Sequence, residues 1–488
     1  MPAGSFESCW NNLYSPMSTA SERVLAELAV KGFLSLWSYP SPFNDKGVAQ
    51  RGEGKEICDL LVIFGNDVII FSDKSSSYPN SGNPETDWKR WWRSAIAESV
   101  VQILGAERWL KTFPDRVFAD KKCSHRIDVP IPSKDAIRVH RVIVALGARE
   151  RCRAFFNGGS GSLIIGGSAH SGDAPTLPFR IEGSSPGAPF VHVLDDVSLQ
   201  VLMRERDTVG DFIEYLSKKE QAMSARQFLA TGEEDLLAHF LMTLDINGDH
   251  SFLPHSDGNL PDMIFVDESN YATLANLPQF KHAKTVNAPS YGWDKLIEYF
   301  THAWRQGLEV EVPPAHVEEA LRVMALPRRS ERRALAEMVR TLVAHEGPGT
   351  RTMAGMPVID RNIGYAGVAL PKPAGAPEEE YRSVRQSVMI TYARSLKVRM
   401  PNLIKVLVLG FHAPHRGRVA EDMVLIDFND WNDVVEAQTR EDMTTFGWTA
   451  AGERRTELEF PMPELPMTRE RARRLRQARS LAAKRRQP

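Results

Sequence analysis

Residues Gly54–Ser75, GKEICDLLVIFGNDVIIFSDKS, constrain the fold of this chain more than any other stretch. Two apolar runs, Leu60–Phe64 and Val68–Phe71, flank a Gly-Asn-Asp turn. Both are too short for helices and rich in Val, Ile and Phe, so they predict a buried β-hairpin. Asp59 enters the first strand and Asp73-Lys74 leaves the second, so closing the turn gathers all three at one end. Carboxylates beside a lysine on neighbouring strand ends are the minimum set for holding a divalent cation against a phosphodiester.

The flanking sequence extends the hairpin into a larger sheet. Ser18-Thr19 can cap a helix from about Ala20 to Val30, with Val24, Leu25 and Leu28 on one face and Glu22 and Glu27 on others. Phe33–Tyr39 alternates in polarity and predicts a strand that stops at Pro40. After a Ser/Pro/Asn-rich loop, Asp87 can cap a long helix from Trp88 to about Thr112. Trp92, Ile96, Val100, Ile103 and Leu104 recur in it at helical spacing, with Gln102 mid-helix. Ile137–Leu146 predicts a further buried strand, so the order is helix, strand, strand, strand, helix, strand.

Downstream, Phe190–Leu194 reads as a short strand and Thr208–Gln221 as a helix that Asp211 helps to start. Helices are expected at Glu233–Leu244, Trp293–Arg305, His316–Met324 and Leu335–His345, with Arg328–Arg333, RRSERR, as a linker. A second α/β unit follows, with strands at Tyr365–Leu370, Leu403–Leu409 and Met423–Phe428 and helices at Glu378–Leu396 and Trp431–Ala437. The expected division is 1–225, a helical middle at 226–355, a small α/β domain at 356–460 and a basic tail at 461–488.

Charge narrows the function classes. Lys+Arg 60 against Asp+Glu 62 leaves a net charge of −2, so any nucleic-acid surface must be local. The tail offers one: nine Arg/Lys fall between Arg469 and Arg486 with Glu470 the lone acid, and Arg473, Arg474 and Arg476 are its candidate phosphate contacts. Lys89 and Arg93, beside Trp88, Trp91 and Trp92, form a second candidate. Cys9, Cys58, Cys123 and Cys152 are scattered, which argues for a reducing compartment and against a structural zinc site. With no signal-like N-terminus and no apolar run of membrane-spanning length, a cytoplasmic protein without a membrane partner is expected.

Other motifs have ordinary explanations. Asp245–Asp257 begins like an EF-hand loop, but His250 stands for the turn glycine and Ser256 for the bidentate glutamate, so it reads as a solvated loop. Asn157–Ser168 lacks the Gly-Lys-Ser/Thr of a phosphate cradle. His412 and His415 read as an exposed turn.

The element order, Asp59 at the head of one core strand, Lys74 at the end of the next and Gln102 on the following helix together resemble the PD-(D/E)XK nuclease superfamily, over roughly Ser18 to Gly147. The resemblance implies an α/β fold with a restriction-endonuclease-like core, an α-β-β-β-α-β mixed sheet. It implies Asp59 as metal ligand, Lys74 as the group steadying the attacking water, Gln102 as the helix glutamine of several branches and Glu22 as the first-helix acid of some. Glu27 competes with Glu22, and Glu56 is a further candidate at the strand entrance. The family's second acid stands two residues before the lysine; here that position is Ser72, with Asp73 adjacent to Lys74. Regular alternation turns Asp73 away from Lys74, unless a bulge re-aims it or Glu22 or Glu98 replaces it.

What the resemblance implies is a Mg²⁺- or Mn²⁺-dependent deoxyribonuclease, with Asp59 and Asp73 or Glu22 as ligands. DNA would be its partner, with other proteins or a second copy as further partners. Restriction, phage defence and repair are settings that suit such an enzyme by analogy of fold. The alternative is a non-catalytic nucleic-acid-binding or assembly subunit that keeps the fold after losing the site.

Overall fold

Thr19 starts the first helix, α1 (Ala20–Phe33), with a reciprocal cap. Its Oγ1 accepts from the Glu22 N–H at 3.2 Å, and the Glu22 carboxylate accepts from the Thr19 N–H at 3.2 Å. In this computed structural model, residues 19–183, 187–246, 248–253, 262–307, 314–344, 349–355, 362–412 and 421–448 are described. The buried face of α1 is Leu25, Ala26, Ala29 and Phe33. Val24 is 44% exposed, so the apolar stripe is rotated from the predicted Val24-Leu25-Leu28 face.

The helix extends to Phe33 because that ring has a partner across the core. It lies 6.3 Å from Phe71 and 4.9 Å from Phe212, centroid to centroid. Leu34, at φ 68, then ends it. The predicted strand Phe33–Tyr39 is therefore corrected to the short β1 (Ser38–Pro40).

The hairpin forms as expected, β2 (Leu60–Phe64) pairing antiparallel with β3 (Asp67–Ser75) in a register that sets Phe64 opposite Asp67. That leaves Gly65 and Asn66 as the turn, and Gly65 takes φ 60, a value that favours glycine in first place. β4 (Arg138–Leu146) runs parallel to β3, and β5 (Val191–Leu194) runs parallel to β4. The five strands lie in sequential order, β1-β2-β3-β4-β5.

Helices cover both faces of this sheet, which is why its strands are continuously apolar. α1 and α4 (Val209–Ala225) share one face, where Phe33, Phe71 and Phe212 meet. On the other lies α3 (Glu98–Thr112), whose Glu107 forms a two-pronged ion pair with the buried Arg141 of β4 at 2.6 and 2.7 Å. The long helix predicted from Trp88 starts earlier and is interrupted. It comprises α2 (Pro84–Trp92), capped by Asn83 rather than Asp87, then a π-helical turn at Arg93–Ala97, then α3.

A second sheet contains Met263–Val266, Gln227–Ala230, Ile164–Ile165 and Arg180–Ile181, in that order. The chain divides into two units between His282 and Ala283, inside the stretch 226–355 that the sequence sets apart as helical. In the second unit, strands Arg351–Gly355, Ile363–Leu370, Lys405–His412 and Glu421–Asp427 form a four-stranded sheet. Helix Glu378–Arg399 buries Val388, Met389, Tyr392 and Leu396 against it. RRSERR is no linker: Arg329–Val343 is a helix, and its Arg332 is fully buried on Asp294 at 2.7 Å. The chain is thus a mixed α/β protein. Among the described residues no helix is long and apolar enough to cross a membrane.

Candidate functional site

At the open end of the hairpin, Asp59 precedes β2 by one residue and lends its side chain to the neighbouring strand. Its Oδ2 accepts from the Asp73 N–H at 2.6 Å, while its own backbone N–H donates to the Phe71 carbonyl at 3.2 Å. The Asp59 carboxylate thereby substitutes for a strand partner at the point where β2 has not yet begun. The segment beyond Lys74 is pinned from two sides. The Trp91 indole N–H donates to the Ser76 carbonyl at 3.2 Å, and Gly147 passes so close that any Cβ there would collide with the same carbonyl.

Alternation through this end is regular. Ser72, Asp73, Lys74 and Ser75 pair without interruption with Ile143, Val144, Ala145 and Leu146 of β4, so no bulge re-aims Asp73. Ser72 therefore faces α3, where its hydroxyl donates to Gln102 Oε1 at 3.3 Å. Lys74 shares that face by alternation. Asp73 points to the α1 side, toward Ser21, Glu22 and Asp59.

Burial, more than charge, sets the electrostatics of this end. Burial, with smaller contributions from Asp59 and Glu22, pushes Asp73 up to about 6, against the opposing pull of Ser21 and Lys74. Both Asp73 carboxylate oxygens are buried without a hydrogen bond of normal geometry. Asp59 is raised first by burial and then by Glu22, with the Asp73 N–H and Lys74 acting against it. Glu56 is also raised, by desolvation of its carboxyl and then by Asp59 and Glu22, while Ser41 opposes the shift. Buried Cys58 is pushed well up by the same desolvation and by the Asp59 and Glu56 charges.

The structure thus brings Glu22, Glu56, Asp59, Asp73 and Lys74 within electrostatic reach of one another, and it brings Gln102 to the same strand end through Ser72. Glu27 and Glu98 are exposed. Lys89 and Arg93 are exposed on α2 and the π turn, and the Trp88, Trp91 and Trp92 side chains beside them are core. Trp88 and Trp92 anchor the loop near 172–175 by indole bonds to the Pro175 and Gly172 carbonyls. Arg473, Arg474 and Arg476 lie outside the described residues, as do Ser256, Asp257 and His415.

Sequence reasoning missed a different cluster. Among the described residues, the one group of three or more His, Cys, Asp or Glu whose ligand atoms all fall within 4.8 Å of one another is His140, His192 and Glu220. Its members stand on β4, β5 and α4, far apart in the chain, so no local spacing could signal it. Comparison with protein-family models, with curated proteins and with solved structures finds no match.

Proposed function

We propose that this protein is a metal-dependent nuclease acting on DNA, with a restriction-endonuclease-like core formed by α1, β1 to β4 and the α2–α3 helix pair. Support comes from the element succession, with an antiparallel hairpin joined to a parallel strand through a long helical crossover. The observation that carries the reading is the strand end where Glu22, Glu56, Asp59, Asp73 and Lys74 lie within electrostatic reach of one another and both Asp73 carboxylate oxygens are buried. A divalent cation would offset the burial cost of these carboxylates, because its charge favours their ionised form.

In this reading Asp59 and Asp73 would hold Mg²⁺ or Mn²⁺, with Glu22 and Glu56 beside them. When bound, the cation polarises the scissile phosphate and lowers the pKa of a water. The chain's own groups do the rest. Asp59 fixes the Asp73 backbone through the 2.6 Å bond, so both carboxylates are placed before substrate arrives. Lys74 would orient the attacking water and offset charge on the phosphate, and Gln102, tied to Ser72, would hold the Lys74 strand in position.

A non-catalytic nucleic-acid-binding subunit is the second reading, and one observation favours it. Ser72 occupies the place of the second acid with its hydroxyl engaged by Gln102, while Asp73 faces away from Lys74. Calorimetric titration with Mg²⁺ separates the two. The nuclease reading expects binding by the wild type, its loss in Asp73→Asn, partial weakening in Glu22→Gln and little change in Ser72→Ala. Equal affinity in all three variants would leave the non-catalytic reading standing.

A further inference from the structure

We infer that His140, His192 and Glu220 form a binding site for a first-row divalent transition metal, with Zn²⁺ as the occupant, separate from the acidic strand end. Register places the two histidines on one face of the sheet. Val142 pairs with His192, so His140, two residues earlier on β4, lies diagonally next to it on the side covered by α4. Glu220 on α4 reaches down between them. Its Oε1 lies 3.0 Å from His140 Nδ1 and 2.9 Å from His192 Nε2.

The surroundings of His140 match what an imidazole ligand needs. A ligating histidine usually donates its second ring N–H to a carboxylate, which orients the ring and raises its basicity. His140 Nε2 lies 3.2 Å from Asp67 Oδ1, and Asp67 is held in turn by Arg138 through bonds of 2.8 and 2.6 Å. His192 is wholly buried, its ring packed at 4.8 Å from that of Phe190. Glu220 keeps about a quarter of its side chain exposed, 27%, so a path from solvent lies on its side.

Two imidazoles and one carboxylate are a donor set for zinc-class ions rather than for Mg²⁺ or Ca²⁺, which prefer all-oxygen shells. Around an ion with bonds of about 2.0–2.2 Å, the two Glu220–histidine separations would need to grow by only a few tenths of an ångström. The site stands at the other end of the sheet from Asp73. His140 pairs with Ile69, four residues before Asp73, or about 13 Å at strand rise. The competing account of the same atoms is a metal-free bridge in which a protonated His140, raised to about 9 by Asp67 and Glu220 against its burial, and His192 both donate to Glu220.

The test uses the full-length protein, stripped with a chelator and titrated with Zn²⁺, and separately with Co²⁺ while visible absorption is recorded. The site should take up about one equivalent of Zn²⁺ with a rise in thermal midpoint, and Co²⁺ should give the ligand-field bands of a site with few ligands. Glu220→Gln and His192→Gln should abolish both responses, and Asp67→Asn should weaken affinity about 10- to 100-fold. Asp59→Ala and Asp73→Asn, which address the proposed nuclease site, should leave them unchanged. Absence of wild-type Co²⁺ bands overturns the inference even if the variants fail to fold. So does Zn²⁺ binding that survives Glu220→Gln, or that vanishes in Asp73→Asn.

Discussion

Replacing Asp73 by asparagine should stabilise the protein most at neutral pH and progressively less toward acid pH. Its carboxyl, ordinarily near 3.8, is pushed up to about 6 chiefly by burial, so the folded state binds this proton more tightly than the unfolded chain does. For an acid raised on folding, the associated stability is fully present below the unfolded value and is lost as pH rises through the folded one. Between pH 4 and 6 the wild type should therefore lose stability through this group, and above pH 6 it carries the whole cost. The gap from 3.8 to about 6, at 1.36 kcal/mol per pH unit, gives about 3 kcal/mol as an upper figure. Asparagine carries no charge, so Asp73→Asn should raise stability by up to about 3 kcal/mol at pH 7.5 and by only about 1 kcal/mol at pH 4.5. Urea denaturation of both proteins in chelator, at the two pH values, measures this. Identical midpoints at pH 7.5, or a gain that does not shrink toward pH 4.5, would refute the electrostatic reasoning.

Two further outcomes are expected. Asp294→Ala should destabilise the second unit by about 3–5 kcal/mol, because it strands the fully buried Arg332 without its 2.7 Å partner, and denaturation curves will show whether it does. Deleting residues 468–488 removes nine cations and should weaken DNA binding with a shallower salt dependence; an unchanged slope of log affinity against log salt would exclude the tail from the contact.

The parts of the fold that could be read from the sequence are those governed by local rules. The hairpin was legible because two apolar runs meet at a glycine-first turn, and α1 because Thr19 and Glu22 form a capping box. Phe33–Tyr39 misleads because its alternation mimics a strand, whereas the Phe33 ring is drawn into the helix by Phe71 and Phe212, residues distant in sequence. RRSERR misleads similarly: a run of charges reads as solvated until Asp294, on another helix, is seen to bury one of them. Strands of two residues, such as Ile164–Ile165, carry too little pattern to detect.

For the candidate site, sequence marks Asp59, Asp73 and Lys74 because a hairpin brings its ends together. It also raises the question of where Asp73 points, which the unbroken register with β4 answers: toward α1. The bond between Ser72 and Gln102, and the convergence of His140, His192 and Glu220, depend on how helices settle on the sheet. Nothing local encodes either.

Nuclease activity is tested most simply by DNA cleavage with the purified protein and Mg²⁺ or Mn²⁺, on plasmid and linear substrates, beside Asp59→Ala and Lys74→Ala. A nuclease is expected to show divalent-dependent cleavage by the wild type and its loss in both variants, with retained far-ultraviolet circular dichroism showing that each variant still folds. Cleavage that survives both substitutions, or a wild type that cuts with neither metal, would contradict the nuclease reading.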